Sequence, residues 1–329
     1  GTTDRQNLAA NSNGVYNIQT FLNGNQNFEI DFKEFSFDES KHINRFIDYE
    51  LYKTKSQRVQ KLYDDNNPLT LFHSVINDGY IKIDDSTNSV YKIKISDYKN
   101  NETWVTLNIK GQKSDAIETK KMVTTPYYIY ANQTTNLKEG NVSVDMYSDT
   151  FYEDLFIDFK VSNDTLYLDK DIVPLKKNIT ISYDVSHYSD ADKNKLYIAE
   201  LLGYKNYPSY SPTKRKGNKL YTYTKTLGTY TLTKDNIKPT IVPVNFKNKQ
   251  WLSNFRFLTV KIDDELSGIS NYRATINDKW ILMEYDYKKK TLTYNFNDHV
   301  ITDTKNNLKI IVTDNVGNSS TFEALFYRK

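Results

Sequence analysis

The sequence predicts an all-β chain: three tandem immunoglobulin-like β-sandwich domains with a short helical insertion in the first. Three observations carry this. Apolar and polar residues alternate with period two over many short runs, the mark of a strand with one buried face. Aromatic residues reach 14% of the 329, with 27 Tyr, although the hydrophobic share is only 38%. Tyr suits a half-buried pleated surface, and disordered chains are poor in such residues. Finally, a stretch near the start recurs near the end, which implies related domains.

Residues 1–112 form the first expected domain. It opens on Gly1-Thr2-Thr3 without an initiator Met, so a processed or truncated product is expected. Asn23-Gly24 separates two strand-like runs and predicts a tight hairpin, because both turn positions need positive φ. Phe28, Ile30 and Phe32 then alternate with polar neighbours. From Asp38 to about Lys53 the period changes: Ile43, Phe46, Ile47 and Leu51 recur at helical spacing, with Asp38 or Ser40 as the cap. Asn77-Asp78-Gly79 predicts another turn, leading into a strand Tyr80-Ile81-Lys82-Ile83.

Residues 113–234 form the middle domain, with strands expected at 127–130, 142–146, 156–161, 179–183, 196–201, 220–224 and 229–232. Asp235-Asn236-Ile237-Lys238-Pro239 links it to the last domain, residues 235–329, and Pro239 and Pro243 favour an extended joint.

The repeat ties the outer domains together. Residues 92–103 align with 309–320, placing Asp97 on Asp314 and Asn101 on Asn318. Each pair brackets a strand–turn–strand unit in which Asp accepts hydrogen bonds from amides two residues on. Upstream, Gly14-Val15-Tyr16-Asn17-Ile18 aligns with Gly268-Ile269-Ser270-Asn271-Tyr272. The last copy has a strand at 257–262 before this point. The first copy has only polar residues there, so it is expected to lack its opening strand.

Charge and motifs exclude several functions. Lys plus Arg is 44 against 41 Asp plus Glu, a near balance without the concentrated basic face of a nucleic-acid binder. The basic runs 214–216 and 288–290 read as solvated loops or hairpin tips. No cysteine is present, which removes disulfides and Cys-ligated metals. No stretch is long and apolar enough for a transmembrane helix. His299 and Asp303 have a zinc-pair spacing but no third ligand. Clustered carboxylates at Asp64-Asp65, Asp84-Asp85 and Asp263-Asp264-Glu265 read as turns or strand ends, with calcium as the sharper alternative. Neither a phosphate loop nor a nucleophile elbow occurs. No catalytic, cofactor-binding or metal residue is therefore assigned.

Several segments carry a family resemblance: Lys238-Pro239-Thr240-Ile241, Trp251-Leu252-Ser253, Lys261-Ile262-Asp263-Asp264-Glu265-Leu266-Ser267-Gly268-Ile269, Lys279-Trp280-Ile281-Leu282-Met283-Glu284-Tyr285-Asp286 and Thr313-Asp314-Asn315-Val316-Gly317-Asn318. The last domain resembles the C-terminal immunoglobulin-like extension of lysostaphin-type zinc metallopeptidases of the bacterial cell envelope. Asn13-Gly14-Val15-Tyr16 and Phe35-Ser36-Phe37-Asp38-Glu39 extend the resemblance to the first domain. That family binds zinc through His-x-Gly-x-Asp and His-x-His segments and cleaves peptidoglycan cross-bridges. The chain carries neither segment, so the resemblance implies the non-catalytic part of such a protein, with any zinc in a peptidase domain outside this chain. The expected role is a scaffold or docking region in the periplasm or at the outer membrane, acting on envelope proteins or a membrane-bound assembly. The alternative is a carbohydrate- or peptidoglycan-binding module built on the Tyr-rich runs 127–130 and 221–230. A hydrolase in its own right ranks third.

Overall fold

The computed structural model describes residues 4–5, 12–113, 124–298 and 300–329. It is all-β, as expected, and built of tandem β-sandwiches. The chain divides into two compact units. One is Gly1–Thr125 with Asp149–Phe156 and Lys170–Lys177; the other is Pro126–Ser148, Ile157–Asp169 and Asn178–Lys329.

In the first unit, five antiparallel strands lie in the order Phe72–Val75, Asn25–Asp31, Asn17–Leu22, Asn88–Ser96, Glu102–Lys110. Asn23 and Gly24 take positive φ, 50° and 88°, and close the expected hairpin. Ile18, Phe28 and Ile30 point to one face, where Phe46, Leu69 and Leu71 of the inserted segment cover them. The insertion is helical, but in three short pieces: Phe37–His42, Ile43–Phe46 and Tyr49–Lys55. Ile47 interrupts them by bridging to Gln60 in extended conformation. The caps are Ser36 and Asp48 rather than Asp38 or Ser40. Ser36 and Glu39 form a reciprocal capping box, which satisfies two amides at once.

One expected strand is absent. Tyr80–Ile83 is irregular, and the chain re-enters the sheet only at Asn88. The turn before it packs too closely for a hairpin: the Gly79 carbonyl accepts from Asn27 Nδ2, and Gly79 lies against the backbone of Leu62 and Tyr63.

The second unit holds four larger sheets. The middle pair has the orders Lys214–Lys216, Lys219–Thr224, Ile179–Asp184, Val142–Met146, Thr135–Glu139 and Phe159–Ser162, Thr165–Leu168, Gly228–Lys234, Leu196–Leu202, Tyr207–Tyr210. Val142, Val144, Met146, Ile179, Ile181, Leu166, Leu168 and Tyr230 are buried, which is the alternation read along these strands. The last pair has the orders Thr240–Pro243, Phe257–Asp263, Thr291–Asn295, Met283–Asp286 and Gln250–Trp251, Ser319–Tyr327, Lys305–Asp314, Ile269–Ile276, Lys279–Ile281. Its core joins Leu258, Val260 and Ile262 to Ile310, Val312 and Phe326.

The internal repeat is visible bond by bond. Asn17 pairs with Ser96 as Asn271 pairs with Thr313. At the second turn, Asn101 N–H donates to Asp97 Oδ1 at 2.9 Å, and Asn318 N–H donates to Asp314 Oδ1 at 2.7 Å. The side-chain bonds Asn101 Nδ2 to Asp97 Oδ2, 2.6 Å, and Asn318 Nδ2 to Asp314 Oδ2, 2.7 Å, also coincide.

Candidate functional sites

The repeat makes two places stand out, one where the copies differ and one where the last copy adds something. The first is the outer strand of the first sheet, Glu102–Lys110. Its nine residues pair with Asn88–Ser96 without a register shift. Among the described residues, no strand pairs with its other edge. Between Glu102 and Lys110 it carries no charge, Gly or Pro, and so lacks the devices that usually protect an edge. Its inward-facing residues Val105 and Leu107 lie opposite Ile93 and Tyr91, yet they are 40% and 47% exposed. The matching positions in the last sandwich are Phe322 and Ala324, opposite Ile310 and Leu308. There they pack into the core, because a second sheet faces them. Gln250–Trp251 also covers part of that strand's outer edge by parallel pairing. No second sheet faces the corresponding flank among the described residues of the first unit. On the opposite face, Trp104 is also exposed, beside Phe21 at 5.6 Å and under Lys94.

The second place is the joint between the middle and last sandwiches, both in the second unit. Asp235 ends the strand Gly228–Lys234, Asp264 follows Phe257–Asp263, and Asp314 ends Lys305–Asp314. They are 29 to 79 residues apart in sequence, yet one carboxylate oxygen from each lies within 4.8 Å of the others. Asp235 and Asp314 are buried, and Asp264 is half-buried. Backbone amides orient all three. Asp235 Oδ2 accepts from Ser267 N–H at 3.1 Å and its Oδ1 from Ile237 N–H at 2.9 Å. Asp264 Oδ2 accepts from Gly268 N–H at 2.7 Å, and Asp314 Oδ1 from Val316 N–H at 3.0 Å. Asn318 binds across the joint, donating to the carbonyls of Asp235 and Ile237, both at 3.1 Å. Its Oδ1 accepts from Lys195 Nζ at 2.5 Å. Lys195 thus spends its charge on Asn318 and on the Val316 carbonyl at 3.3 Å. None of the three carboxylates makes an ion pair among the described residues.

The electrostatics follow. Burial pushes the Asp264 carboxyl above the usual range, and the Asp235 and Asp314 charges push the same way against the Gly268 and Leu266 amides. The Tyr197 hydroxyl is raised to about 12, first by burial and then by Asp235 and Asp264. Two buried oxygens here, Asp264 Oδ1 and Ser267 Oγ, have no hydrogen-bond partner among the described residues, and the Tyr197 hydroxyl meets only the Thr233 side chain.

The remaining candidates disperse. His299 lies outside the described residues, and Asp303 is exposed, accepting from Asn277 Nδ2 at 3.2 Å. Asp65 is paired with Arg45 and Lys61, Asp84 is exposed beside Lys82, and Asp263 binds Lys290 at 2.6 Å. Lys214–Lys216 and Lys288–Lys290 flank or form hairpin turns in solvent. In the Tyr-rich runs, Tyr128 and Tyr130 meet at 82° and Tyr221 and Tyr223 at 78°, so their rings do not form a coplanar row. A cleft of about 490 Å³ in the first unit is lined by Arg45, Lys61, Asp65 and Glu153 among others. Among the described residues, no helix is long and apolar enough to cross a membrane.

Sequence reasoning named Asp235 as a linker residue and Asp314 as a turn residue, and read Asp264 as part of a carboxylate cluster at a turn or strand end, with calcium as the alternative. Their segments carried the signal, but nothing in their spacing reveals that three separate strand ends converge.

No curated protein matches the chain. Among solved structures, the fibronectin(III)-like modules of Clostridium thermocellum CbhA are 14% identical over 46% of this chain and 86% of theirs, with a TM-score of 0.24. Bacteroides ovatus SGBP-B of the mixed-linkage glucan utilization locus, solved with a mixed-linkage heptasaccharide, is 10% identical over 95% of this chain and 60% of its own, with a TM-score of 0.19. Protocadherin gammaB7 EC3-6, a cis-dimer structure, is 10% identical over 100% of this chain and 69% of its own, with a TM-score of 0.18. In the family comparison, residues 126–235 match the Zu5-like domain.

Proposed function

We propose that this chain is a non-catalytic scaffold and docking region of a bacterial envelope protein, and that it docks through the open flank of its first sheet. One observation supports this above the others. Positions that are core in the last sandwich, Phe322 and Ala324, are solvent-exposed apolar residues at Val105 and Leu107 in the first unit. A sheet with an exposed apolar flank and a long unprotected edge accepts an extended polypeptide. Main-chain bonds along Glu102–Lys110 supply affinity, and alternate apolar side chains of the incoming strand seat against Val105 and Leu107. The occupant is an extended, apolar-alternating segment of a second envelope protein. The resemblance of residues 235–329 to peptidase-associated extensions supports the envelope setting and a zinc-peptidase-like parent.

The test is cross-linking capture from envelope extract, with this chain and with the full native polypeptide as separate baits. Both should capture the same partner, and Val105→Lys with Leu107→Lys should reduce capture at least tenfold while the melting temperature holds. If only the shorter bait captures it, residues of the parent polypeptide fill the flank, and docking through it is wrong.

A further inference from the structure

We propose that Asp235, Asp264 and Asp314 form a binding site for a single divalent cation, calcium by its chemistry, which fastens the middle sandwich to the last. This goes beyond the docking role and stands on a different part of the chain.

The first ground is geometry. Two oxygens bound to one calcium ion at roughly 2.4 Å can be no more than about 4.8 Å apart. The three carboxylates already meet that limit. Amides hold one oxygen of Asp264 and leave Oδ1 undonated, while every carboxylate oxygen that accepts a single amide keeps a lone pair.

The second ground is independent of the carboxylates. The side chain of Ser267 is wholly buried and its hydroxyl has no hydrogen-bond partner among the described residues, while the equally buried Tyr197 hydroxyl meets only the Thr233 side chain. A buried hydroxyl left unpaired loses its hydration without compensation, so natural proteins rarely keep one without a ligand or water beside it. Tyr197 lies within the field of both Asp235 and Asp264. Ser267 is anchored to Asp235 through its amide. Two of the eight unpaired buried side-chain atoms among the described residues, Ser267 Oγ and Asp264 Oδ1, therefore belong to the segment that carries this cluster.

The third ground is charge. Three carboxylates converge and make no ion pair among the described residues, and the Lys195 ammonium binds Asn318 Oδ1 and the Val316 carbonyl instead. Buried charge needs a counter-charge or a proton. An all-oxygen donor set selects a hard cation over zinc or copper, and irregular oxygen geometry suits calcium better than magnesium. The ion would draw Asp235, at the end of the middle sandwich, onto Asp264 and Asp314 of the last.

The experiment is equilibrium dialysis of the intact chain against calcium after chelator treatment, with thermal melting in parallel. One calcium per chain is expected, together with a rise in melting temperature that chelator reverses. Asp264→Asn keeps the acceptor for Gly268 but removes a charge, and should weaken calcium binding at least tenfold. Asp84→Asn, at an exposed acidic pair, should leave it unchanged. Terbium probes the site directly: Tyr-sensitised luminescence should appear on binding and fall in Tyr197→Phe. Absence of bound calcium at millimolar concentration overturns the proposal. Equal binding by Asp264→Asn, or magnesium binding tighter than calcium, overturns it as well.

Discussion

At the residue scale, the two copies of the Asp–Asn turn form a natural controlled comparison. Asn101 and Asn318 make the same bonds to Asp97 and Asp314. Only Asn318 is buried and also binds the carbonyls of Asp235 and Ile237 and the Lys195 ammonium. Asn318→Ala should therefore destabilise the second unit by ~2–3 kcal/mol, since buried partners are left unsatisfied. Asn101→Ala, on an exposed turn, should cost the first unit under ~1 kcal/mol. Urea unfolding of each variant measures the contrast, and equal effects would contradict it. Asp97 also gives a pH prediction. Hydrogen bonding from the Asn101 side chain and amide holds its carboxyl below the ordinary value of 3.8. Its folded pKa is depressed, so its contribution is present above the ordinary value and lost as pH falls through the folded one. Amide exchange at Lys99 and Asn101 should accelerate below that ordinary value, beyond the intrinsic pH trend. These turns were legible in sequence because an Asp, a residue of permissive φ and an Asn carry their own local chemistry.

Elements were legible where one residue type decides the conformation, and illegible where tertiary contact decides it. Asn23-Gly24 announced its hairpin. Val142, Val144 and Met146 announced an inward face. Helical spacing at Ile43, Phe46, Ile47 and Leu51 revealed a helical insertion, but not its break, because Ile47 pairs with Gln60 from outside the segment. The capping box was readable at Ser36 and Glu39, and the periodic apolar run drew attention to later positions instead. Ser36→Ala should cost ~1 kcal/mol of first-unit stability, measured by chemical unfolding. The missing strand at 80–83 has a similar cause. Gly79 has φ of +80°, and a Cβ there would meet Leu62 O and Tyr63 Cα at 2.8 Å. Gly79→Ala should destabilise by ~2–3 kcal/mol, because backbone on both sides must shift. A loss below ~1 kcal/mol would show that the turn relaxes freely.

At the scale of the whole molecule, the sequence repeat pointed to related strand pairs in the first and last parts of the chain. It could not show the consequence, which depends on comparing burial at equivalent positions: Val105 with Phe322, and Leu107 with Ala324. Nor could it bring together Asp235, Asp264 and Asp314, since long-range strand order sets their convergence. The same structure thus contains a closed joint between two sandwiches and an open sheet elsewhere.

The most direct measurement of the docking claim is hydrogen exchange along Glu102–Lys110, in the free chain and in the cross-linked complex. Strand addition predicts that alternate amides of this strand, those facing the free edge, become protected on capture while the other edge strands stay unchanged. Protection confined to another surface, with these amides exchanging as fast as in the free chain, would contradict the account.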